Sequence, residues 1–239
     1  MIRFITSLLL VLATINGLSL AQTDAERRKY DACVADSYKC KEAANFGDPD
    51  AMYNLGFMYQ TGRGVPRDYG QALNWYHKAA TAGVSIAGPV MNQQGLIYLK
   101  AQDDAQAVSW FRNAAAASYA PAMTNLGFMY ENARGVPQDY KHAMSWYRKA
   151  AAEGDPDAMN NLGLMYENAR GVPQDYKHAM NWYRKAAKAG ISIAMYNLGR
   201  MYENAQGVAQ NDEQAVSWFR KAADAGDGYA RASLSRPGQ

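Results

Sequence analysis

"DPDAMNNLGLMYENARGVPQDYKHAMNWYRKAAKAG", residues 155–190, contains two amphipathic segments that flank a turn. The apolar residues of the first segment recur at i, i+4, i+7 and i+8, the spacing of one helical face: Ala158, Leu162, Met165 and Tyr166. Asp155 is a favourable N-cap, and Pro156 occupies the first helical position, where its missing N–H costs nothing. The first segment is therefore predicted to be a capped α-helix.

The middle of this stretch, "ENARGVPQD", ends the first helix and starts a second. Gly171 suits a left-handed helix end, and Pro173 cannot continue the helix. Asp175 then caps the second helix, and Gly190 ends it. The second helix also has one apolar face: Ala179, Trp182, Tyr183 and Ala186. The stretch is thus predicted to be a helix–turn–helix unit.

This unit is repeated along the chain. The sixteen residues "MYENARGVPQDYKHAM" occur unchanged at 129–144 and 165–180. Every tryptophan marks one repeat, with steps of 35 or 36 residues: Trp75, Trp110, Trp146, Trp182 and Trp218. The units predicted from this spacing are 48–83, 84–118, 119–154, 155–190 and 191–226. A lone helical hairpin cannot bury its apolar face, so neighbouring hairpins must stack on one another.

The predicted fold is therefore all-α, an α-solenoid of about five stacked helix–turn–helix repeats with a 36-residue period. Residues 22–47 resemble a degenerate hairpin and are predicted to form an N-terminal helical cap. Residues 227–239 are predicted to form a short C-terminal cap and a tail.

The first 21 residues have the layout of a secretory signal peptide. Arg3 precedes an apolar stretch, and a small-x-small site ends at Ala21, after which we expect cleavage. The apolar stretch is too interrupted for a convincing bilayer-spanning helix, although an uncleaved anchor is the alternative. We therefore expect a periplasmic or secreted protein without a membrane span after cleavage.

The charges of the chain favour no polyanionic partner. The formal net charge is +3, with acidic and basic residues interspersed, and no basic run or stripe indicates a nucleic-acid surface. The sequence predicts neither a cofactor nor a metal site, since the two cysteines have no histidine near them.

Cys33 and Cys40 leave two alternatives open, a disulfide or two free thiols. On one uninterrupted helix they would lie two turns apart, about 10 Å, which is too far for a disulfide. A disulfide therefore requires a helix break near Asp36 and Ser37. An exported protein meets an oxidising compartment, where such a bond persists.

No catalytic motif is present, and we expect no enzymatic activity. His142 and His178 occupy a position that holds glutamine in the other units, which indicates an exposed helix face. Three glutamates recur near the ends of first helices and either form an acidic rail that attracts basic partners or a solvated edge: Glu131, Glu167 and Glu203.

The pattern in "AMYNLGFMYQTGRGVPRDYGQALNWYHKAA", residues 51–80, resembles the Sel-one-like repeat, a longer relative of the tetratricopeptide repeat. The resemblance is specific in four units and partial in the second. Three units have alanine for the first glycine of the turn: Ala133, Ala169 and Ala205. In these units we expect the glycine two places further on and the neighbouring asparagine to adopt the left-handed conformation.

The resemblance implies that first helices line a concave surface that binds another protein, and that the protein is an exported adaptor. It would regulate or neutralise an envelope protein, for example as an immunity protein, or act as a virulence-associated adaptor. The alternatives are a weak hydrolase or penicillin-binding enzyme, as in exported cysteine-rich relatives, and a peptidoglycan binder.

The predicted binding residues occupy first-helix positions, most of which vary between units and are not needed for stacking. Rows of tyrosine, phenylalanine and asparagine with arginine are typical of protein-binding patches. The alternative is that Phe57 and its equivalents pack against the next hairpin. Replacing Tyr53 and Tyr196 with alanine is expected to weaken partner capture without changing thermal stability. The predicted set is Tyr53, Asn54, Phe57, Asn92, Thr124, Asn125, Phe128, Glu131, Asn160, Asn161, Leu164, Glu167, Tyr196, Asn197, Arg200 and Glu203.

Overall fold

The computed structural model describes residues 24–84 and 87–235. Within these ranges the chain forms thirteen helices and no strand, so the predicted all-α solenoid is confirmed. The predicted signal peptide, residues 1–21, lies outside the described residues.

Two helices precede the repeats and one follows them. The helices are α1 (Asp24–Ala35), α2 (Ser37–Asn45), α3 (Pro49–Thr61), α4 (Tyr69–Thr81), α5 (Ala87–Lys100), α6 (Asp104–Ala116), α7 (Ala120–Glu131), α8 (Tyr140–Ala152), α9 (Pro156–Glu167), α10 (Tyr176–Lys188), α11 (Ser192–Glu203), α12 (Asp212–Asp224) and α13 (Gly228–Leu234). Each repeat thus supplies a first helix (α3, α5, α7, α9, α11) and a second helix (α4, α6, α8, α10, α12).

The chain divides into two compact units. Unit 1 contains the described residues up to Gln102 together with Ser109–Tyr119. Unit 2 contains Asp103–Val108 together with the described residues from Ala120 onward. In unit 2 each first helix packs closely on the second helix of its own repeat, and α8 and α10 also pack on the first helix that follows.

The predicted N-caps start the helices. The Asp155 side chain accepts a hydrogen bond from the backbone N–H of Ala158 at 2.8 Å, and Pro156 lies in the first turn of α9. The Asp175 side chain accepts from the backbone N–H of His178 at 2.9 Å. These local bonds satisfy helix N–H groups that have no partner within the helix.

The turn between the two helices of a repeat matches our expectation at its glycines and differs from it at its alanines. Gly135, Gly171 and Gly207 adopt positive φ, as expected. Ala133, Ala169 and Ala205 themselves adopt positive φ of 54°, 55° and 54°, while Asn168 and Asn204 remain at negative φ. The backbone N–H of Arg170 bonds to the Met165 carbonyl at 2.9 Å, a helix-ending bond that requires a left-handed residue just before Arg170. The alanines are therefore held in this conformation by the helix end itself.

Small residues allow the two helices of a repeat to approach closely. At Gly127, an added Cβ would lie 2.5 Å from the ring of Tyr147, which is fully buried. The same relation holds between Gly163 and the buried ring of Tyr183. In each of these repeats the two helices therefore pack through a contact between an aromatic ring of the second helix and a glycine of the first.

The cysteine pair forms a disulfide in the N-terminal cap. Cys33 and Cys40 are joined, with their Cα atoms 4.9 Å apart. The required helix break falls at Asp36, between α1 and α2, where the Asp36 side chain caps α2 through the backbone N–H of Lys39. Of the two alternatives that the sequence left open, the structure has the disulfide.

Candidate protein-binding face

Half of the predicted binding residues are not on the surface. The expectation of exposed rows is wrong at eight positions, whose side chains are buried: Tyr53, Asn54, Phe57, Asn92, Thr124, Asn160, Glu167 and Asn197. The other eight are exposed or half-buried: Asn125, Phe128, Glu131, Asn161, Leu164, Tyr196, Arg200 and Glu203. That these residues bind a partner stays a prediction. Only the eight exposed or half-buried residues remain candidates for that role.

In unit 1 the first-helix aromatics are covered by neighbouring helices. The Phe57 ring meets Tyr30 of α1 edge-on, with ring centroids 5.1 Å apart. The Tyr53 ring packs on Tyr76 of α4 at 5.5 Å and is only 8% exposed. Truncating Tyr53 would leave a core cavity, so the expected neutral effect of Tyr53→Ala on stability is not supported by this geometry.

In unit 2 the buried polar side chains connect successive repeats. Thr124 donates its hydroxyl hydrogen to the Asp155 carboxylate at 3.0 Å, and Asp155 in turn caps α9. Asn197 donates to the side-chain oxygen of Asn160 at 3.4 Å. Buried polar groups that are paired in this way stabilise the stacking of repeats and are not available to a partner.

The exposed part of the prediction is a row that we call the first-helix row, formed by Phe128, Leu164 and Arg200. These residues occupy the same position in α7, α9 and α11, immediately after the glycine that meets the second-helix aromatic. Phe128 is 39% exposed, although it is a large apolar side chain, and Leu164 and Arg200 are partly exposed. Asn125 and Asn161, one turn earlier, are also partly exposed.

The expected acidic rail is not present at Glu131 and Glu167. Tyr147 donates its hydroxyl to Glu131 at 2.8 Å, and Arg170 of the next repeat forms an ion pair with the same carboxylate at 2.6 Å. Glu167 accepts from Tyr183 at 2.6 Å and lies 3.4 Å from an Arg200 guanidinium nitrogen. These carboxylates are therefore neutralised in the frame of the solenoid.

Burial and the adjacent carboxylate raise the pKa of both the Tyr147 and the Tyr183 hydroxyl far above the ordinary range of tyrosine. Both hydroxyls therefore remain protonated and act as donors. The sequence carries a partial signal for this pairing. Tyrosine follows glutamate by sixteen residues in the third and fourth repeats, and the second repeat has Phe111 with Leu99, but the fifth has Phe219 with Glu203.

The two repeated histidines are exposed, as the sequence indicated. The His142 ring stacks on Tyr130 with centroids 5.3 Å apart, and its Nδ1 lies 2.7 Å from the Asp139 carboxylate. The backbone N–H of His142, and secondarily its ring, lowers the pKa of the Asp139 carboxyl. His178 repeats this arrangement with Tyr166 and Asp175. These contacts stabilise the N-termini of α8 and α10.

The structure separates charges that are interspersed in the sequence. Helices α8 and α10 contain seven lysines and arginines and no aspartate or glutamate. All seven are exposed, and we call them the basic face: Lys141, Arg148, Lys149, Lys177, Arg184, Lys185 and Lys188. Sequence reasoning missed this face because the acidic residues that interrupt it in the chain lie in the turns and first helices.

No group of His, Cys, Asp and Glu in residues 24–84 and 87–235 could hold a metal ion. None of the helices described there is long and apolar enough to cross a membrane.

Comparisons with known proteins agree with the repeat pattern. The sequence model described as the Sel1 repeat matches residues 49–84, 86–119, 120–155, 156–191 and 192–227. A search of the curated proteins finds no match. The similar solved structures include two with at least 30% identity to this chain.

One is c5321, described as a protective antigen of uropathogenic Escherichia coli strains with an SLR fold. It is 33% identical, with a TM-score of 0.61, and the match covers 84% of this chain and 45% of that one. The chain thus spans less than half of that protein. The other is a Sel1 repeat protein from Oxalobacter formigenes, 30% identical with a TM-score of 0.60, and 87% of each chain is covered.

Proposed function

The chain belongs to the Sel1 repeat family, whose members are helical protein-interaction scaffolds, and we propose that it is an exported, non-enzymatic adaptor. It binds another protein through the first-helix row and the exposed residues beside it. The adaptor would regulate an envelope protein, neutralise a toxin as an immunity protein, or act as a virulence-associated adaptor.

The observation that carries the proposal is the divergence of the first-helix row inside a constant frame. Residues 129–144 and 165–180 are identical, yet the residue directly before each copy is Phe128 in one and Leu164 in the other. The frame residues are buried or hydrogen-bonded, whereas Phe128 is exposed and Leu164 and Arg200 are partly exposed. Leu164 also packs in part on the core formed by α10 and α11, and Arg200 lies beside the Glu167 carboxylate. Substitution at exposed positions of a fixed frame changes what is bound without changing the fold.

The composition of the row fits a protein partner. Phe128 offers an exposed aromatic ring, Leu164 continues the apolar strip, and Arg200 adds a cation whose side chain is 35% exposed. Aromatic residues and arginine are enriched where binding energy concentrates in protein interfaces. A partner segment with an apolar side chain followed by a carboxylate would match this order.

Export is supported by the cysteine pair. The disulfide between Cys33 and Cys40 links α1 to α2. Such bonds form and persist in the periplasm and outside the cell and are rare in the bacterial cytosol. Together with the signal-like residues 1–21, this supports a periplasmic or secreted protein. N-terminal sequencing of the protein recovered from the envelope tests the proposed cleavage after Ala21.

The binding proposal is tested by affinity capture from an envelope fraction of the source cells. The bait is the protein or its F128A/L164A/R200A variant, and captured proteins are identified by mass spectrometry. We expect a specific partner with the unaltered bait and a loss of at least tenfold with the variant, because alanine removes the exposed anchors.

The matched control is Q71A/N181A/Q214A, which truncates three exposed second-helix residues. The control bait should retain the partner, and thermal unfolding of both variants shows whether the frame is intact. Equal capture by all three baits would refute the assignment of binding to the first-helix row. Within the described residues no observation favours the hydrolase or the peptidoglycan alternative.

A further inference from the structure

The basic face is unpaired within the described part of the chain. None of its seven cations forms a salt bridge with a described carboxylate. Arg148 and Arg184 each donate only to a tyrosine hydroxyl, that of Tyr166 at 3.1 Å and that of Tyr202 at 3.3 Å. The positive charge of the face is therefore not cancelled by neighbouring side chains.

Tryptophan accompanies the cations. The Lys149 ammonium lies 4.3 Å from the centroid of the Trp146 ring, and the Lys185 ammonium lies 4.1 Å from that of Trp182. Both indoles are partly exposed. The same lysine–tryptophan pair occurs outside the face, at Trp75, which is buried, and at Trp218, which is partly exposed. Tryptophan and lysine both favour the membrane–water interface. There the indole ring lies at the level of the headgroups, and the ammonium group is attracted to anionic headgroups.

The face is the same in two successive repeats. Helices α8 and α10 are identical at eleven of thirteen positions, and one of the two differences, Ala152 to Lys188, adds a cation. The exposed row on the first helices of these repeats has diverged. A folded protein partner presents different groups to successive repeats, whereas a fluid lipid surface presents the same headgroups to each.

The face has defined limits. Helix α12 of the next repeat continues the face only through Arg220 and Lys221, because it has Glu213 and Asp224 where α10 has Lys177 and Lys188. The carboxylates nearest in sequence are at the helix ends: Asp139 and Asp175 are paired with the histidines, and Glu153 is the C-cap of α8. The positive surface is therefore a bounded patch on unit 2.

We propose that the basic face docks the protein on a membrane surface that contains anionic phospholipid. The lysines and arginines contact headgroup phosphates, and the tryptophans lie at the headgroup level without crossing the bilayer. Clusters of four to eight cations next to a membrane bind anionic lipids in this way. The inference goes beyond the proposed function, because it concerns a different surface and a different class of partner.

The test measures co-sedimentation of the full chain with vesicles. One set contains phosphatidylcholine with about one-third phosphatidylglycerol, and the other contains phosphatidylcholine alone and reports binding that does not depend on charge. We expect binding to the anionic set that is largely lost at about 0.5 M salt, where the Debye length falls to a few ångström.

The variant K141Q/R148Q/K177Q/R184Q removes four cations and leaves both Lys–Trp pairs in place. Each cation near the surface contributes roughly fivefold to binding, so we expect a loss of about a hundredfold or more. The control K41Q/R63Q/R67Q/K100Q removes two exposed lysines and two exposed arginines elsewhere and should change binding by a few-fold at most. Circular dichroism checks that both variants are folded.

Three outcomes would overturn the proposal. The first is no binding to anionic vesicles, and the second is an equal loss in the two quadruple variants. The third is full competition by poly-glutamate or duplex DNA at equal charge concentration, which would assign the face to acidic proteins or nucleic acid. Anionic-vesicle binding that the first variant alone abolishes, and that these polyanions do not displace, supports it.

Discussion

The left-handed alanines predict an unusual gain in stability. Ala133, Ala169 and Ala205 have φ near +54°, and all three are exposed and end a first helix. At the equivalent position the first repeat has Gly62, with φ of 74°. We therefore expect A133G/A169G/A205G to be more stable than the unaltered protein.

The magnitude follows from two opposing terms. The left-handed conformation costs a residue with a Cβ about 1–2 kcal/mol relative to glycine. Glycine loses about 0.4–1 kcal/mol more backbone entropy on folding than alanine. The net gain is about 0.5–1 kcal/mol per site, or about 2 kcal/mol for three sites. For a domain of this size that corresponds to an increase in Tm of roughly 4–8 °C.

The chain offers a control with the same composition. Ala82, Ala189 and Ala225 are exposed C-cap residues that directly follow α4, α10 and α12, but their φ values are −84°, −83° and −79°. In A82G/A189G/A225G only the entropy term remains, so we expect a loss of about 1–3 kcal/mol. The entropy terms cancel between the two triple variants, which should differ by about 3–6 kcal/mol, the left-handed cost of three alanines.

Urea unfolding followed by circular dichroism, with the disulfide intact, measures the difference through the midpoint and slope of each transition. Repeat arrays sometimes unfold in stages, so the comparison uses the unfolding of unit 2, which contains all three left-handed sites and two of the three control sites. Shifts of equal size and sign in the two variants would show that the positive φ carries no strain, and the reasoning would fail.

Three further predictions concern the frame. Gly127→Ala places a methyl group 2.5 Å from the buried Tyr147 ring and should lower the free energy of unfolding by about 2 kcal/mol in urea titrations. Tyr183→Phe leaves the buried Glu167 carboxylate without its tyrosine donor and should cost about 1–3 kcal/mol. The pKa of Asp175 is lowered in the folded state, so its stabilising effect is present at neutral pH and should be lost as pH falls below about 4.

Each of these has a control. Gly228→Ala adds a methyl group with no atom within 4 Å and should be neutral or slightly stabilising. The double variant Y183F/E167L reproduces the Phe111 and Leu99 pair of the second repeat and should cost less than the sum of its single changes. Asp175→Asn retains a capping side chain but no titrating charge, so its stability should fall less steeply in acid than that of the unaltered protein. The reverse order would contradict the assigned pKa shift.

Local features were predictable from the sequence. Asp155 and Asp175 were identified as N-caps because a cap depends only on the next three residues. The repeat spacing predicted the solenoid, because a 36-residue hairpin has one way to bury its apolar face. The sequence did not decide between a disulfide and two free thiols at Cys33 and Cys40. The outcome depends on whether the helix continues past Asp36, and the spacing of the cysteines does not determine that.

Exposure on the first helices was not predictable, because it depends on which element covers each position. Phe57 and Phe128 occupy the same place in their repeats, yet Phe57 is buried beneath Tyr30 and Phe128 is 39% exposed. Ala169 was misjudged for a related reason. The intrinsic preference for positive φ predicts Gly171 correctly, but Ala169 is also left-handed, because the hydrogen bond that ends α9 requires that conformation just before Arg170.

The two proposed surfaces use different helices of the same repeats, which makes their roles separable. The first-helix row lies on α7, α9 and α11, and the basic face lies on α8 and α10. If both proposals hold, a protein bound to anionic vesicles should still capture its partner, and the F128A/L164A/R200A variant should bind vesicles normally. Vesicles that block partner capture would show that one surface serves both ligands, and the separation of roles between first and second helices would then be wrong.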